Sequence, residues 1–208
     1  MKKFFGNLVY LLLAMPLGVV YFTILTVGLS LGAGFSITLI GLPILVSMIF
    51  VTYMLGDLER SITSILLGVK IAKPEARPAR DNSARAILTA QWKNLAFWKE
   101  LAYLLLLKLP LGILSFTLAV VFMTIPLALM AAPVLVAFFP WTDYMVFSSV
   151  RVDTMTEALV CLGVGLGLGF VSIYLINGVA WVSGKIAAWG LGRVDDQASA
   201  PSYSPARN

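Results

Sequence analysis

The sequence contains no histidine, one cysteine and little charge. Of its 208 residues, 60% are hydrophobic and 12% are charged, and the mean hydropathy is +0.93. Soluble domains carry about 25% charged residues, so this composition excludes an ordinary soluble domain and indicates a bilayer. Without histidine the chain lacks the commonest general base, the commonest zinc ligand and any phosphate-accepting histidine. Cys161 lies alone in an apolar run, which excludes an intramolecular disulfide and predicts a packing role.

Other signatures of chemistry are missing as well. Acidic residues and nucleophiles do not converge, and we find no metal-ligand spacing, nucleophile elbow or glycine-rich phosphate loop. We therefore expect no enzyme activity, no cofactor, no metal site and no catalytic residue. The net charge of +5 follows the membrane face rather than a nucleic-acid surface, so we expect the lipid bilayer and no nucleic acid as a partner.

Long apolar stretches with little or no charge define the predicted membrane spans. No residue between Lys3 and Asp57 is charged. A span needs about 20 apolar residues, so this stretch holds two spans, separated by a glycine- and serine-rich turn at 28–36. The predicted architecture is an all-α transmembrane bundle in a sensor-like domain at 1–192, with spans at 8–31, 36–55, 101–124 and 155–182, a cytoplasmic loop at 57–100, an outer segment at 125–154 and a disordered cytoplasmic tail at 193–208.

The basic residues predict the orientation of the spans in the cell membrane. Lys2 and Lys3, the loop 57–100, and the end of the chain are rich in lysine and arginine, whereas 141–157 is predominantly acidic. The positive-inside rule then places both termini and the loop in the cytoplasm, which requires an even number of spans. In the alternative, residues 125–140 form a fifth span and the basic tail lies outside.

Two features of the loop and its borders carry further predictions. An amphipathic stretch predicts a helix that lies in the membrane interface or, equally, a cytoplasmic helix that packs on its neighbours. Its apolar side comprises Ile87, Leu88, Gln91, Trp92, Leu95 and Trp98. Asp57, Glu59 and Arg60, at the inner end of the second span, form a charge motif that an intramolecular ion pair explains most simply. Lys108 is expected to snorkel to the headgroups.

An internal two-fold repeat relates the first and third spans and indicates a duplicated helical hairpin. Residues 10–23 resemble 103–117, and both copies begin on the same side of the membrane if the loop crosses no bilayer. Each copy contains a proline and then a glycine, namely Pro16 with Gly18 and Pro110 with Gly112. Each proline removes a backbone hydrogen bond and predicts a helix kink, and each glycine permits close backbone approach. The kinks are either hinges or bends that packing requires.

The last span carries small residues at helix-contact spacing. Its two glycine pairs are Gly163 with Gly167 and Gly165 with Gly169. The two pairs point to nearly opposite faces, so one can pack within the bundle and the other against a second protomer in a homodimer. Packing within one chain explains at least one pair. Asn177 is expected to form an interhelical hydrogen bond.

The repeat and five shorter motifs, over about residues 5–192, resemble the sensor domain family found at the N-terminus of many bacterial and archaeal two-component histidine kinases. The motifs are Leu58-Glu59-Arg60 with Leu66-Leu67-Gly68, Trp98-Lys99-Glu100-Leu101, Val152-Asp153-Thr154 with Glu157-Ala158-Leu159, Asn177-Gly178-Val179-Ala180 and Gly184-Lys185-Ile186-Ala187. The resemblance implies a prokaryotic four-helix membrane input module. The sequence departs from the kinases after Gly192, where only a short tail follows, so we expect a stand-alone domain.

Three functions fit these features. The first is a membrane sensor or regulatory protein that passes a membrane or extracytoplasmic signal to a separate partner, such as a kinase or a transport ATPase. The second is a transporter or permease-like subunit, which the parallel repeat motivates. The third is a structural or assembly subunit of a membrane complex.

Overall fold

The computed structural model of the chain describes residues 2–38, 40–71, 84–138, 145–146, 150–151 and 154–192. Its long helices are α1 (Lys2–Gly34), α2 (Gly41–Leu67), α5 (Lys108–Phe138) and α6 (Met155–Leu191), and two short helices, α3 (Ala84–Trp92) and α4 (Leu95–Ala102), lie between α2 and α5. A 3-10 turn (Phe35–Ile37) follows α1, and a π-helical segment (Tyr103–Leu107) joins α4 to α5. Two-residue strands β1 (Met145–Val146) and β2 (Val150–Arg151) pair antiparallel, with Met145 opposite Arg151.

Four helical stretches are long and apolar enough to cross a membrane, namely Lys3–Ile37, Gly41–Leu67, Leu95–Phe138 and Met155–Leu191. The shortest has 27 residues and so measures about 40 Å, which exceeds a hydrocarbon core of about 30 Å. The prediction of an all-α protein with four transmembrane helices is therefore confirmed, and the protein is a multi-pass membrane protein. The helices extend beyond the predicted spans, and α2 and α6 each extend well past their predicted inner ends at 55 and 182.

The largest difference from the predicted boundaries lies in α5. The predicted span ends at 124 and is followed by an outer segment, whereas α5 continues through Pro126 and Pro133 to Phe138. Proline costs one backbone hydrogen bond, but an apolar helix packed against a neighbour tolerates that loss in a membrane. Leu129 and Ala132 of this continuation are buried. The rest of the predicted outer segment lies outside the described residues, apart from the strand pair and Thr154. Residues 72–83 of the predicted loop and the tail 193–208 lie outside them as well.

The last helix begins with a capping box. The Thr154 backbone N–H donates to the Glu157 carboxylate at 3.3 Å, and the Glu157 N–H donates to the Thr154 hydroxyl at 3.4 Å. These reciprocal hydrogen bonds satisfy backbone N–H groups at a helix start. They explain why α6 begins at Met155, where the predicted last span also begins.

The chain divides into two compact units, and α1 and α6 each contribute residues to both. The first unit comprises 1–20 and 108–183, and the second comprises 21–107 and 184–208. In the first unit α5 and α6 meet at small residues: a Cβ added at Gly165 would lie 2.9 Å from Leu129 Cβ, and one at Gly169 would lie 3.7 Å from Pro126 Cβ. Nothing lies within 4 Å of the corresponding positions at Gly163 and Gly167 in the described part of the chain.

The proline–glycine segments of the repeat also meet in the first unit. A Cβ added at Gly18 would lie 3.0 Å from the Lys108 carbonyl oxygen, and one at Gly112 would overlap the Ala14 carbonyl group. The residue numbers fall in α5 as they rise in α1, so the two segments run in opposite directions at this contact. The repeat interpretation predicted the same direction for both copies, and the local structure disagrees with it on this point.

In the second unit, α1 and α2 pack closely, and α3 and α4 lie along the side of this hairpin. Met48 and Leu45 fill the space beside Gly28 and Gly32. Ile87 of α3 and Phe97 of α4 are buried, and the Phe97 ring lies 5.7 Å from the Tyr53 ring of α2. The buried side of α3 therefore packs on its neighbours, which is one of the two arrangements that the sequence left open.

Candidate functional site

A cluster of charged side chains is buried in the second unit. Arg60 of α2 is 4% exposed, Glu100 of α4 is 1% exposed and Glu59 is fully buried. The Arg60 Nη1 atom lies 2.9 Å from Glu100 Oε1 and 3.1 Å from Asp57 Oδ1. Its other terminal nitrogen, Nη2, donates to the Leu191 carbonyl oxygen at 2.7 Å. One guanidinium thus joins α2, α4 and the last residue of α6.

Local sequence explains how these groups come together. Asp57 and Arg60 are three positions apart and so share one face of α2. Gly56 provides the space for the third partner, because a side chain there would overlap the Glu100 carboxylate. The last carbonyl groups of a helix have no partner within the helix, and a nearby cationic side chain commonly binds them. Arg60 fulfils this role at the end of α6.

Other polar side chains of α1 and α2 are also buried in the second unit. Tyr21 of α1 is fully buried and lies close to Glu59, and its hydroxyl has no hydrogen-bond partner among the described residues. Thr52 and Thr63 of α2 are also fully buried, and the Thr52 hydroxyl donates to the Met48 carbonyl at 2.8 Å. We use the name Arg60 cluster for Tyr21, Asp57, Glu59, Arg60 and Glu100. The cluster combines one guanidinium with three carboxyl groups.

Burying such charged groups lowers the stability of the folded protein unless the groups are paired. Removing one partner from a buried ion pair costs about 3–5 kcal/mol, because the remaining charge stays in a medium of low polarity. Ionisable residues within transmembrane segments are rare, and they usually mark a functional pathway. Among the described residues, no group of three His, Cys, Asp or Glu side chains could hold a metal ion. The Arg60 cluster therefore links α2, α4 and the end of α6 through ionic and hydrogen-bond contacts, and we call this set of contacts the ionic joint.

The end of α6 makes further contacts around this joint. The Tyr103 ring covers Gly190, and Leu67 of α2 lies against Gly184, 2.9 Å from the position of an added Cβ. The Lys99 ammonium group lies 5.8 Å from the centroid of the Trp189 ring, within the range of a cation–π interaction. The final turns of α6 are therefore docked on α2, α4 and the π-helical segment.

The structure separates the residues that the sequence singled out. Asp57, Glu59 and Arg60 lie in the Arg60 cluster. The other predicted site residues belong to the first unit, namely Pro16, Gly18, Pro110, Gly112, Gly163, Gly165, Gly167, Gly169 and Asn177. Asn177 Oδ1 accepts a hydrogen bond from Asn7 Nδ2 at 2.8 Å.

Several residues of the candidate site escaped sequence reasoning. Glu100, Tyr21 and the Leu191 carbonyl join Arg60 or Glu59 over long sequence separations, which no local period encodes. The available signal was a carboxylate at the edge of an apolar run, together with a glycine one turn before Arg60. Lys108 also differs from expectation. It does not reach toward headgroups but is 2% exposed, with its Nζ 3.4 Å from the Tyr10 hydroxyl.

These features define a class of protein: a multi-pass α-helical membrane protein with a buried ionic joint between its helices. The family model described as "Putative sensor" matches residues 10–190, and the chain belongs to this family. The resemblance noted from the sequence motifs is thereby confirmed. No curated protein and no solved structure matches the chain.

Proposed function

We propose that the protein is a membrane sensor or regulatory protein that passes a membrane or extracytoplasmic signal to a separate partner through the C-terminal end of α6. The observation that carries this proposal is the position of Arg60, which binds Glu100 of α4 and the Leu191 carbonyl of α6. Membership of a sensor family supports the sensing role. The last residues of α6 lead directly to the tail, from which a partner is reached.

The Arg60 cluster supplies the two-state behaviour that a sensor needs. A stimulus shifts an equilibrium only by its differential affinity for two conformations. Because a buried ion pair does not loosen gradually, displacement of α4 or α6 requires Arg60 to exchange one set of acceptors for another. Packed interfaces of this kind are bistable. Asp57 already pairs with Arg60 and is 27% exposed in its side chain, so it can retain the guanidinium when Glu100 or the Leu191 carbonyl is displaced.

The partner is a separate protein such as a kinase or a transport ATPase. These 208 residues contain no histidine and so cannot accept a phosphoryl group as a histidine kinase does. The charge of the basic loop and of both termini favours the cytoplasmic side of the cell membrane for them. A cytoplasmic partner would meet them there. A transporter or an assembly subunit remains the competing function.

Disulfide crosslinking tests whether Arg60 holds the end of α6. Cysteines at Leu67 and Gly184, in a Cys161→Ala background, should form a disulfide readily because these positions are in contact. Arg60→Gln should slow this crosslink severalfold, since the Leu191 carbonyl loses its donor. Lys70→Gln removes the same charge from an exposed residue and should leave the rate unchanged.

The partner is tested with the same variants in native membranes. Chemical crosslinking and mass spectrometry should recover a kinase or a transport ATPase with the wild-type protein, and Arg60→Gln should change that association or the partner's activity. If Arg60→Gln instead alters only solute flux in reconstituted vesicles, the permease function replaces the sensor. Normal crosslinking of 67 to 184 in Arg60→Gln would refute the proposed joint.

A further inference from the structure

The second unit contains a small cavity, separate from the Arg60 cluster, with a volume of about 110 Å³. Its walls are formed by apolar residues of α1, α2, α3 and α4, including Leu29, Met48, Leu88, Phe97 and Trp98. An engineered apolar cavity of about 150 Å³ accommodates benzene. The cavity is therefore large enough for a molecule somewhat smaller than benzene.

One polar side chain, Gln91 of α3, interrupts this apolar wall. Gln91 is 5% exposed. Its side-chain oxygen accepts a hydrogen bond from the Tyr53 hydroxyl at 2.9 Å and another from Asn94 Nδ2 at 3.3 Å. Its amide nitrogen has no hydrogen-bond partner among the described residues.

The cap of α4 fixes which way this amide points. Asn94 is the N-cap residue of α4, and its Oδ1 atom accepts from the backbone N–H groups of Ala96 and Phe97 at 3.0 and 3.4 Å. The Asn94 amino group must then face Gln91, where only an oxygen can accept it. The Gln91 oxygen is thereby committed to Asn94 and Tyr53, and the Gln91 NH₂ group is left for the cavity.

We propose that this cavity binds a small neutral molecule that presents one acceptor oxygen to the Gln91 NH₂ group and otherwise contacts the apolar wall. A short-chain ketone represents this class of ligand. Both hydrogen bonds of Gln91 go to its oxygen, so its NH₂ group can donate to a carbonyl oxygen of the ligand. No charged side chain is among the described residues of the wall, so an ion would be left unpaired. Sites of this type bind through an apolar enclosure and a few oriented polar groups.

Binding at this site has a direct route to the Arg60 cluster. Phe97, Trp98 and Leu101 line the cavity from α4, and Glu100 of the same helix pairs with Arg60. A ligand that moves α4 therefore changes the position of an Arg60 partner. This coupling rests on the proposed function, whereas binding itself does not.

The test compares 2-butanone with 2-methyl-1-butene, in which a CH₂ group replaces the carbonyl oxygen. Binding to the purified full-length protein is titrated in detergent, and the infrared carbonyl band of the bound ketone reports its hydrogen bond. Gln91→Met keeps the length of the side chain and removes the donor. It should lower the ratio of ketone to alkene affinity about two- to tenfold, the range expected for one neutral hydrogen bond, and abolish the band shift.

Asn94→Asp is a second variant that preserves the cap. The aspartate still accepts from the N–H groups of α4, but its other oxygen can only accept. Gln91 must then turn its NH₂ group toward position 94 and its oxygen into the cavity. This variant should lose its preference for the ketone and retain binding of 2-butanol, which can donate.

A phenylalanine substitution in the cavity wall, compared with the same substitution at an exposed position, tests whether the probes occupy the cavity. Ile49 lines the cavity, and Ile49→Phe should eliminate saturable binding of both probes. Ile65→Phe adds the same ring at a residue that is 79% exposed and should leave binding intact. Unchanged affinities in Ile49→Phe, or an unchanged ketone preference in Gln91→Met, would overturn the site. Ketone binding without any effect on the 67–184 crosslink would refute only the coupling.

Discussion

The two units of the molecule use different chemistry to hold helices together. In the first unit the described polar contacts between helices include neutral pairs, such as Asn7 with Asn177 and Ser115 with Ser183 at 3.2 Å, and glycines bring backbones close. In the second unit a guanidinium and buried carboxylates join three helices. Neutral pairs stabilise membrane helices modestly, whereas a buried charge imposes a large cost on any incomplete arrangement. The first unit also holds a buried ammonium group, that of Lys108 beside the Tyr10 hydroxyl, but its other described contacts are those of packing. The second unit holds a network of paired charges, which is suited to discrete states.

The largest expected effect is all-or-none and concerns the orientation of the spans. With Cys161→Ala as background, single cysteines at Ser64, Ser149 and Ser202 are exposed to a membrane-impermeant thiol reagent in intact cells. The distribution of basic residues predicts labelling at 149 alone. That pattern would support four spans with the loop and the tail inside.

The opposite directions of α1 and α5 at the Gly18 and Gly112 contact make this measurement more informative. In one bilayer, two antiparallel helices start on opposite sides. Labelling at 202 would favour that direction for α5 throughout its length and would place the tail outside. The proposed route from α6 to a cytoplasmic partner would then be wrong.

Removal of the central cation should produce the largest change in stability. Arg60→Ala leaves the Glu100 carboxylate buried without its guanidinium, and we expect a loss of about 3–5 kcal/mol in the free energy of unfolding. Unfolding in mixed micelles, followed by circular dichroism, measures this change. Lys70→Ala, at an exposed position, should cost less than about 0.5 kcal/mol. Equal stabilities of the two variants would mean that the Arg60 cluster contributes no net pairing energy.

Some features of the two units could be predicted from the sequence, and others could not. Apolar runs of sufficient length, with at most one charged residue in each predicted span, identified all four transmembrane helices, because bilayer thickness fixes the length of a span. The sequence predicted an intramolecular ion pair within the motif of Asp57, Glu59 and Arg60. The structure pairs Asp57 with Arg60, which lie three positions apart and so share a helix face. The Leu191 carbonyl lies 131 positions from Arg60, and no local pattern encodes such a contact. The end of α5 was misplaced because the breaking effect of proline is weaker in an apolar, packed helix than in an exposed one.

Substituting Gly112 and Gly56 by alanine compares a glycine that lies against a backbone carbonyl with one that lies against a side chain. Gly112→Ala places a methyl group against the Ala14 carbonyl, and Gly56→Ala places one against the Glu100 carboxylate. Overpacking of this kind costs about 1–3 kcal/mol, and thermal unfolding should show a loss for both variants. Gly178→Ala, with nothing within 4 Å in the described residues, is the matched control and should be neutral.

The two glycine variants should differ in whether a second change rescues them. Glu100→Asp shortens the side chain that collides in Gly56→Ala, and so should restore part of the lost stability. A backbone carbonyl cannot be shortened, so no side-chain change at position 14 should rescue Gly112→Ala. If Glu100→Asp instead lowers the stability of Gly56→Ala further, the loss in that variant comes from the ion pair with Arg60 and not from the collision.

The smallest effect is expected at the neutral pair of the first unit. Asn177→Ala removes the acceptor of the 2.8 Å hydrogen bond from Asn7. Interhelical hydrogen bonds in membrane proteins contribute about 0.6 kcal/mol on average, so the loss in unfolding free energy should be several times smaller than that of Arg60→Ala. A double-mutant cycle with Asn7→Ala isolates the pair. A coupling energy as large as that between Arg60 and Glu100 would show that the first unit, too, depends on a strongly paired polar contact, and the division of roles between the two units would not hold.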